Sequence, residues 1–349
     1  MAKNAMLANE RTRDLYEQLD VYPKPPLIPL PALDDLESLT DLGLIPGKTS
    51  HPLIKAALLI AGFRRFQKQL PQNIESLLRQ CNLRGPGLFA PLISATLALA
   101  DDPRTTNPIE RATTLILAVR MFYEDFFSGT FEPDRYGGQV LEMGQYPNLF
   151  ATSVIFEGKQ ARIFKSKKLS QINVIVGRHF FLLDLEMLET DSAFEQITTA
   201  LSAIVEFAQK NRCSAEEPSP GWLTACSGPT QIRTFQILQQ HPVNRKSLYA
   251  LRHGLFTLCL DLETVPKSLA EATFLAHSTN FGNRWFHSSL QVVVFGNAQT
   301  CAICSFDAYL DGNVMMRGAA EIRKRAAACP IKNNASSDFS ILPPAIELQ

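Results

Sequence analysis

The side chains best suited to proton transfer lie towards the C-terminal end of this sequence. His277 and His287 come first, and Asp307 and Asp311 follow. An imidazole suits general acid–base chemistry because its pKa lies near neutral pH. An aspartate has a reference pKa of about 3.9 and becomes an effective base only where burial raises that pKa. The residues on either side of Asp307 are mostly apolar, so the sequence is compatible with a raised pKa.

A pair of cysteines in the same stretch has the spacing of many metal and redox sites. Cys301 and Cys304 form a C-x-x-C motif. They lie in a predicted strand, where residues three positions apart point to opposite faces of the sheet. No second cysteine pair or nearby histidine completes a zinc-binding set. The sequence therefore predicts no metal site, and the glycine pattern after Asp311 does not form a phosphate-binding loop.

Two short strands, a loop and a helix must position these groups. Leu290–Phe295 and Thr300–Phe306 are apolar runs of strand length, and a Gly-Asn turn signal separates them. The loop Asp307–Gly312 follows the second strand. Asn313–Ala328 has helical composition. The predicted arrangement places Asp307 immediately after a buried strand and Asp311 immediately before a helix.

The composition limits the classes of partner and compartment. The chain has 349 residues, of which 46% are hydrophobic, and its 34 basic and 34 acidic side chains give no net charge. This balance provides no electrostatic argument for nucleic acid or for an anionic membrane. Seven cysteines at irregular spacing indicate reduced thiols, and no run is long and apolar enough to cross a membrane. We expect a cytoplasmic protein with no membrane span and no nucleic-acid partner.

The rest of the chain alternates between helical and strand patterns. Prolines between 22 and 31 predict an extended segment. The remaining assignments are helices within 51–99, a core helix over 109–127, a hairpin over 171–185 and an amphipathic helix over 194–210.

Several of these segments resemble the carnitine/choline O-acyltransferase family. The similarity lies in the sequences NRWF at 283–286, GQYPNLF at 144–150, and LFTLCLD at 255–261 together with the VNRKS that precedes it at 243–247. The segment GWLTA at 221–225 corresponds to a strand in the family. The resemblance implies an α/β (α+β) fold in which helices flank a mixed sheet, similar to one chloramphenicol-acetyltransferase-like half of a family enzyme. We expect three regions: a proline-rich and helical region at 1–105, an αβ domain at 106–328 and a loop-like tail at 329–349.

The family's catalytic motif is altered in this chain. In the family a Glu-His pair is followed, after three residues, by an acidic residue and glycine. Aligned without gaps from Cys301, the histidine falls on Asp307, the glutamate on Phe306 and the acidic-Gly pair on Asp311-Gly312. A slip of one residue would place Ala308 at the histidine position and leave no base. The resemblance implies that Asp307 is the candidate base and that Asp311 anchors the loop.

The resemblance also implies a reaction and its participants. Family enzymes move an acyl group between CoA and a small hydroxyl acceptor, so we expect an acyl thioester of CoA or of a carrier protein as co-substrate. The acceptor would be a small hydroxyl or amine, and no permanently bound cofactor is expected. The expected substrate-binding residues are Tyr146, Phe306, Tyr309, Gly312, His277 and His287. For Tyr146, the alternative is that it packs in the core with its hydroxyl hydrogen-bonded to the backbone. For His287, the alternative is a surface or cross-strand residue. Arg284 and Trp285 are expected to be structural, with the tryptophan in the core and the arginine paired with a carboxylate.

Two departures support a second interpretation. Family members carry a glycine-rich loop before NRWF, where this chain has only Gly282. They are also roughly twice as long, with the active site between two similar domains. Distantly similar single-domain acetyltransferases work as trimers, so we expect a homo-oligomer or a partner chain that replaces the second half. The alternative function is an inactive relative that binds an acyl ligand or a protein partner.

Overall fold

The computed structural model describes residues 94–157, 160–166, 171–186, 192–214, 219–226, 228–305, 310–331 and 343–346, together with Ala56, Leu59, Ile60 and Phe63. The segments expected to be extended at 22–31 and helical before residue 94 lie almost entirely outside this part of the chain. Phe306, Asp307, Ala308 and Tyr309 also lie outside it.

A six-stranded sheet is the centre of the fold, with the strand order β1-β10-β9-β8-β6-β7. Its strands are β1 (Ala95–Leu99), β6 (Gln171–Val176), β7 (His179–Asp184), β8 (Thr257–Asp261), β9 (Leu290–Phe295) and β10 (Thr300–Cys304). β8 runs parallel to both β6 and β9, and the other neighbours are antiparallel. The sheet is therefore mixed, as expected from the sequence.

The central strands are buried along their whole length because helices and hairpins cover the sheet. All residues of β8, β9 and β10 are buried, which explains why their sequences are mostly apolar rather than alternating between apolar and polar residues. The two smaller hairpins are formed by β2 (Arg135–Tyr136) with β3 (Gln139–Val140), and by β4 (Thr152–Glu157) with β5 (Gln160–Lys165).

Seven helices of the described part flank the sheet. They are α1 (Pro108–Ser128), α2 (Ala193–Lys210), α3 (Pro220–Thr224), α4 (Gly228–Leu238), α5 (Pro242–Leu251), α6 (Leu269–Ser278) and α7 (Gly312–Ala328). α1 packs against α7, α2 and β9, and α6 packs against β1 and β10. Short 3₁₀ helices lie at Tyr146–Leu149 and Phe281–Asn283. None of the described helices is long and apolar enough to cross a membrane.

Local sequence signals explain the bounds of α1. The side chain of Asn107 accepts hydrogen bonds from the backbone of Ile109 and Glu110, and Pro108 occupies the first turn. Gly129 ends the helix with a φ of 78°, a left-handed conformation that glycine adopts without steric cost. The predicted core helix at 109–127 is thereby confirmed.

Two predictions of secondary structure are wrong. Ala95–Leu99 was expected to be helical and is strand β1, which pairs with β10 from Ala95↔Cys304 to Leu99↔Thr300. Short apolar runs do not distinguish helix from strand. Gly221–Ala225 was expected to be a strand, but it lies in and just after the short helix α3. Ser219 caps α3, and Pro220 occupies its first turn.

The described part of the tail at 329–349, expected to be loop-like, contacts the sheet through two backbone hydrogen bonds. The backbone of Leu182 donates to the carbonyl of Pro344, and that of Ile346 donates to the carbonyl of Phe180 at 2.8 Å. The segment 343–346 therefore lies along the edge strand β7. The division into regions at residues 105 and 328 stays a prediction.

Candidate active site

The strand pair β9–β10 leads to the position of the altered motif. Leu290 pairs with Cys304 at this end of the two strands. Just beyond β10, the backbone of Ser305 donates to the carbonyl of Ser289 at 2.8 Å, and Gln291 Nε2 lies 3.4 Å from Ser305 Oγ. Ser305 is fully buried. The chain is therefore fixed up to the residue before Phe306.

The chain is fixed again directly after Tyr309. Leu310 is fully buried, and the backbone N–H of Asp311 donates to Gln145 Oε1 at 2.5 Å. The side chain of Asp311 accepts the N–H of Asn313 at 3.0 Å and caps the start of α7. Gly312, the first residue of α7, is exposed. Asp311 thus caps the beginning of the helix.

We expect Asp311→Ala to lower the free energy of unfolding by about 0.5–2 kcal/mol, because the N-terminus of α7 loses its cap. Asp311→Ser keeps a capping oxygen and should retain most of the stability. Urea denaturation of both variants measures the difference. Equal losses in the alanine and serine variants would contradict a capping role.

A buried ion pair joins the NRWF segment to the end of β8. The Arg284 and Asp261 side chains are 0% and 1% exposed, and their closest atoms, Nη2 and Oδ2, are 2.7 Å apart. Asn280 and Asn283 donate to Asp261 Oδ1, and Arg284 Nε donates to the carbonyl of Ala276. The expectation that Trp285 fills the core and that the arginine pairs with a carboxylate is confirmed, since Trp285 is only 3% exposed.

The structure places Tyr146 in the core. Its side chain is fully buried, its ring stacks on Phe126, and its hydroxyl donates to Asp134 Oδ2 at 2.6 Å. Burial and the hydrogen bond to Asp134 raise its pKa. Arg317 of α7 pairs with the same carboxylate. These contacts agree with the packing alternative, in which the hydroxyl is hydrogen-bonded, except that its acceptor is a side chain rather than the backbone.

His277 lies in the last turn of α6, beside the edge strand of the sheet. Its Nδ1 is 3.0 Å from Thr96 Oγ1 on β1, and its side chain is partly buried. Thr96 is paired with Ile303 of β10. His277 therefore contacts the strand next to β10 and not the turn that holds Asp311.

His287 is buried, which corrects the expectation of a surface or cross-strand residue. It is 3% exposed, and its ring packs against those of Phe235 and Trp285. Its Nε2 lies 2.8 Å from Gln231 Oε1. Gln231 Nε2 donates to two backbone carbonyls, so its Oε1 is the acceptor and the imidazole carries its proton on Nε2. Burial lowers the pKa of His287 to about 3. An imidazole with that pKa is a weak base at neutral pH.

The buried imidazole makes stability depend on pH. Its pKa is about 3 in the folded chain against an ordinary value of 6.5. The unfolded chain therefore binds the extra proton first, and stability falls as the pH drops below 6.5. Between pH 7 and pH 5 the loss from this group is about 2 kcal/mol.

In His287→Gln, the fall in stability between pH 7 and pH 5 should be smaller than in the wild type by about that amount. Glutamine keeps a hydrogen-bond donor but has no titratable group. Urea denaturation of both proteins at the two pH values measures the difference. The same pH dependence in both proteins would show that the imidazole does not titrate as described.

The cysteines of the C-x-x-C motif are unsuited to nucleophilic or metal chemistry. Cys301 and Cys304 are buried in β10, and burial raises the pKa of each thiol to about 12. Thiols with that pKa stay protonated at neutral pH, whereas nucleophiles and metal ligands are thiolates. Within the described ranges, no three His, Cys, Asp or Glu side chains are grouped to hold a metal ion.

The sequence did not predict the contacts that hold the start of α7. Gln145 and Tyr146 were recognised from the resemblance, but their partners Asp311 and Asp134 are distant in sequence. Arg317 also gave no signal, because a charged residue on a helix is usually solvated. Three of the four groups suited to proton transfer lie in the described part, and they contact different elements: His277 contacts β1, His287 contacts α4, and Asp311 contacts the turn before the first 3₁₀ helix.

Comparison with known proteins shows a similarity to acyltransferases. A family model described as choline/carnitine O-acyltransferase matches residues 82–349. Carnitine O-acetyltransferase of Rattus norvegicus is 28% identical over 203 residues, covering 52% of this chain and 31% of that protein. Choline O-acetyltransferase of Homo sapiens is 26% identical over 257 residues, covering 69% and 34%.

The chain spans about a third of the length of these curated relatives. The family model, in contrast, extends over more than half of the chain and includes the whole six-stranded sheet. Together with the mixed sheet and the strand pair that leads to the altered motif, this match shows that the chain belongs to the choline/carnitine O-acyltransferase family.

Proposed function

We propose that this chain transfers an acyl group from a thioester of CoA or of a carrier protein to a small hydroxyl or amine acceptor, with Asp307 as the base. The observation that carries the proposal is the retained framework around the altered position. β10 and Ser305 fix the chain before it, and Leu310 and the Asp311 cap fix the chain after it. Family membership supports acyl transfer as the reaction class.

The proposed reaction needs one proton acceptor. The Asp307 carboxylate takes the proton from the acceptor hydroxyl, the oxygen attacks the thioester carbonyl, and the carbon–sulfur bond breaks. The carboxylic acid then returns the proton to the departing thiolate. A carboxylate performs this step efficiently only where its surroundings raise its pKa towards the working pH.

The other candidate bases have poorer support. His287 has a pKa of about 3 and donates its Nε2 proton within the core. His277 contacts Thr96 on the outer strand. The thiols of Cys301 and Cys304 have pKa values of about 12. Asp307 thus remains the preferred group for the proton transfer, and Asp311 serves as the anchor of the following helix.

The second candidate function is an inactive relative that binds an acyl ligand or a protein partner. It is favoured by the sequence at the motif, where Phe306 and Asp307 replace the family's Glu-His pair. An aspartate with its ordinary pKa of about 3.9 is too weak a base for a hydroxyl. The surroundings of Asp307 therefore decide between the two candidates.

The test is thiol release from a panel of acyl-CoA and acyl-carrier donors, each with mixed alcohol and amine acceptors. Mass spectrometry then identifies the acylated product. The proposal predicts release that depends on the acceptor and gives one acyl product for each thiol. Acyl-CoA binding without release, or no interaction with any donor, would support the inactive alternative.

We also propose that the working protein is a cytoplasmic homo-oligomer, or that a partner chain completes its site. Large apolar side chains are exposed on and near α6, with Phe274 at 61%, Val265 at 62% and Leu269 at 43%. Exposed apolar groups of this kind favour association. Light scattering coupled to size exclusion tests self-association, and a monomer at all concentrations would leave only the partner chain.

A further inference from the structure

A cavity lies at the end of the sheet opposite to the altered motif. It has a volume of about 360 Å³, and its lining includes Asp101, Asp102, Arg111, Arg323 and Lys324. Arg111 of α1 reaches Thr300, the first residue of β10, whereas the motif follows the last residue of that strand. Four residue steps along a strand span about 14 Å. The cavity is therefore separated from Ser305, the last described residue before the motif, by the length of β10.

The guanidinium of Arg111 is buried, and one of its three nitrogens has no hydrogen-bond acceptor. Its side chain is 1% exposed, and its Nε is buried without a hydrogen-bond acceptor. Its contact with the carbonyl of Ala100 has an ordinary length of 3.1 Å, but those with Thr300 Oγ1 and Asp102 Oδ2 are long, at 3.4 and 3.5 Å. Burial lowers the pKa of Arg111. A buried charge of this kind requires a closer counter-ion.

Asp102 does not fully supply that counter-ion, because it is bound more tightly to Arg104. Arg104 Nε and Nη2 lie 2.9 and 2.6 Å from its two carboxylate oxygens, and the backbone N–H of Arg104 donates as well. The hydrogen bond from the Arg104 side chain is the main reason that the pKa of Asp102 is lowered. Most of the negative charge of Asp102 is therefore matched before Arg111 is considered.

Two further cations stand at the rim. Arg323 and Lys324 of α7 are exposed, and neither side chain makes a hydrogen bond or ion pair with the residues that the structure describes. They are not needed to cap α7, since Arg104 already donates to the carbonyls of Ala326 and Cys329 at 2.7 Å. The exposed Asp101 is the second acidic group in the lining; its charge acts on Arg111, and it opposes an anion.

We propose that this cavity, here called the Arg111 cavity, binds a phosphate group, either free or on a small ester. Arginine and lysine are the usual ligands of phosphate oxygens, through forked and point-charge contacts respectively. The anion would neutralise Arg111 from inside the cavity and join Arg323 and Lys324 at its rim. The volume lies at the lower end of the range for small-molecule sites, which fits a phosphate with a few attached atoms.

Calorimetric titration of the full chain at constant ionic strength tests the proposal, with inorganic phosphate in one arm and glycerol phosphate in the other. We expect saturable binding at one site, and the tighter probe shows whether free or esterified phosphate is preferred. The variant Arg323→Gln/Lys324→Gln should weaken binding by at least about tenfold, because two charged contacts are lost. Both residues are exposed, so the fold should be unaffected.

The chain offers a matched control in Arg245 and Lys246, an adjacent and exposed Arg-Lys pair on α5. Arg245→Gln/Lys246→Gln removes the same charges elsewhere and should bind phosphate as the wild type does. The absence of saturable binding of either probe to the wild type would overturn the proposal. An equal loss in both double variants would also overturn it, because the effect would then be one of net charge.

A thermal measurement provides an independent readout through Arg111. A ligand that binds only the folded chain raises its melting temperature, so phosphate should raise that of the wild type and of the α5 control. It should raise that of Arg111→Gln and of the α7 double variant much less. If Arg111→Gln does not fold, the α7 variant alone decides. Equal increases in all folded proteins would contradict a site in the Arg111 cavity.

Discussion

Asp261→Asn is expected to lower the free energy of unfolding by about 3–5 kcal/mol, the typical cost of breaking a buried ion pair. The substitution leaves the Arg284 guanidinium 0% exposed with its counter-charge removed. The amide also has one oxygen where the carboxylate had two. Two asparagine donors and two nitrogens of Arg284 now converge on that carboxylate, so some of these donors lose their acceptor.

Urea denaturation measures this effect, with an exposed ion pair as the control. Arg212 and Glu263 also form a salt bridge, but their side chains are 71% and 82% exposed. Exposed pairs contribute little to stability because water and salt screen them. Glu263→Gln should therefore leave the urea midpoint almost unchanged. Similar shifts in the two variants would show that the buried pair is not the main support of the NRWF segment.

Asp307→Ala is expected to reduce the rate of thiol release by about 10²–10⁴-fold, the usual contribution of a general base. Alanine accepts no proton, so the acceptor hydroxyl would have to lose its proton to water. Overall folding should be unaffected, because the sheet and α7 are held by contacts on either side of this residue. Steady-state kinetics with the donor and acceptor found in the panel measure the loss.

Asp184→Ala is the control, since Asp184 is an exposed aspartate at the end of strand β7. Its side chain accepts only the N–H of Glu186 among the described hydrogen bonds, and its removal should leave the rate unchanged. Thiol release that survives in Asp307→Ala would move the proton transfer to another group. His277 would then be the first to replace, because it is only partly buried.

Much of the fold could be predicted because its strongest elements carry local signals. A few adjacent residues are enough to predict β9 and β10 from their apolar runs, the start of α1 from Asn-Pro and the start of α7 from Asp-Gly. β1 and α3 could not be predicted in the same way. β1 is a strand because it pairs with β10. α3 packs closely on a distant segment: a Cβ on Gly221 would lie 2.5 Å from the carbonyl oxygens of Phe281 and Arg284. This contact is not visible in the local sequence.

The candidate site was less predictable than the fold. The resemblance identified Asp307 and Asp311, but not what surrounds them. Burial lowers the pKa of His287. The sequence around it, including the neighbouring Arg284-Trp285, did not show that this side chain is buried. The hydroxyl of Tyr146 donates to Asp134, and the same carboxylate pairs with Arg317 of α7. Such contacts join distant segments, so they become visible only when the chain is folded.

The most direct test of Asp307 as the base is the pH dependence of kcat/KM for thiol release in the wild type and in Asp307→His. The acid limb of this profile reports the ionisation of the base in the free enzyme. We expect a limb set by a carboxyl group in the wild type, and a limb near pH 6.5, the reference pKa of imidazole, in the variant. The same acid limb in both proteins, or no thiol release at any pH, would contradict this expectation.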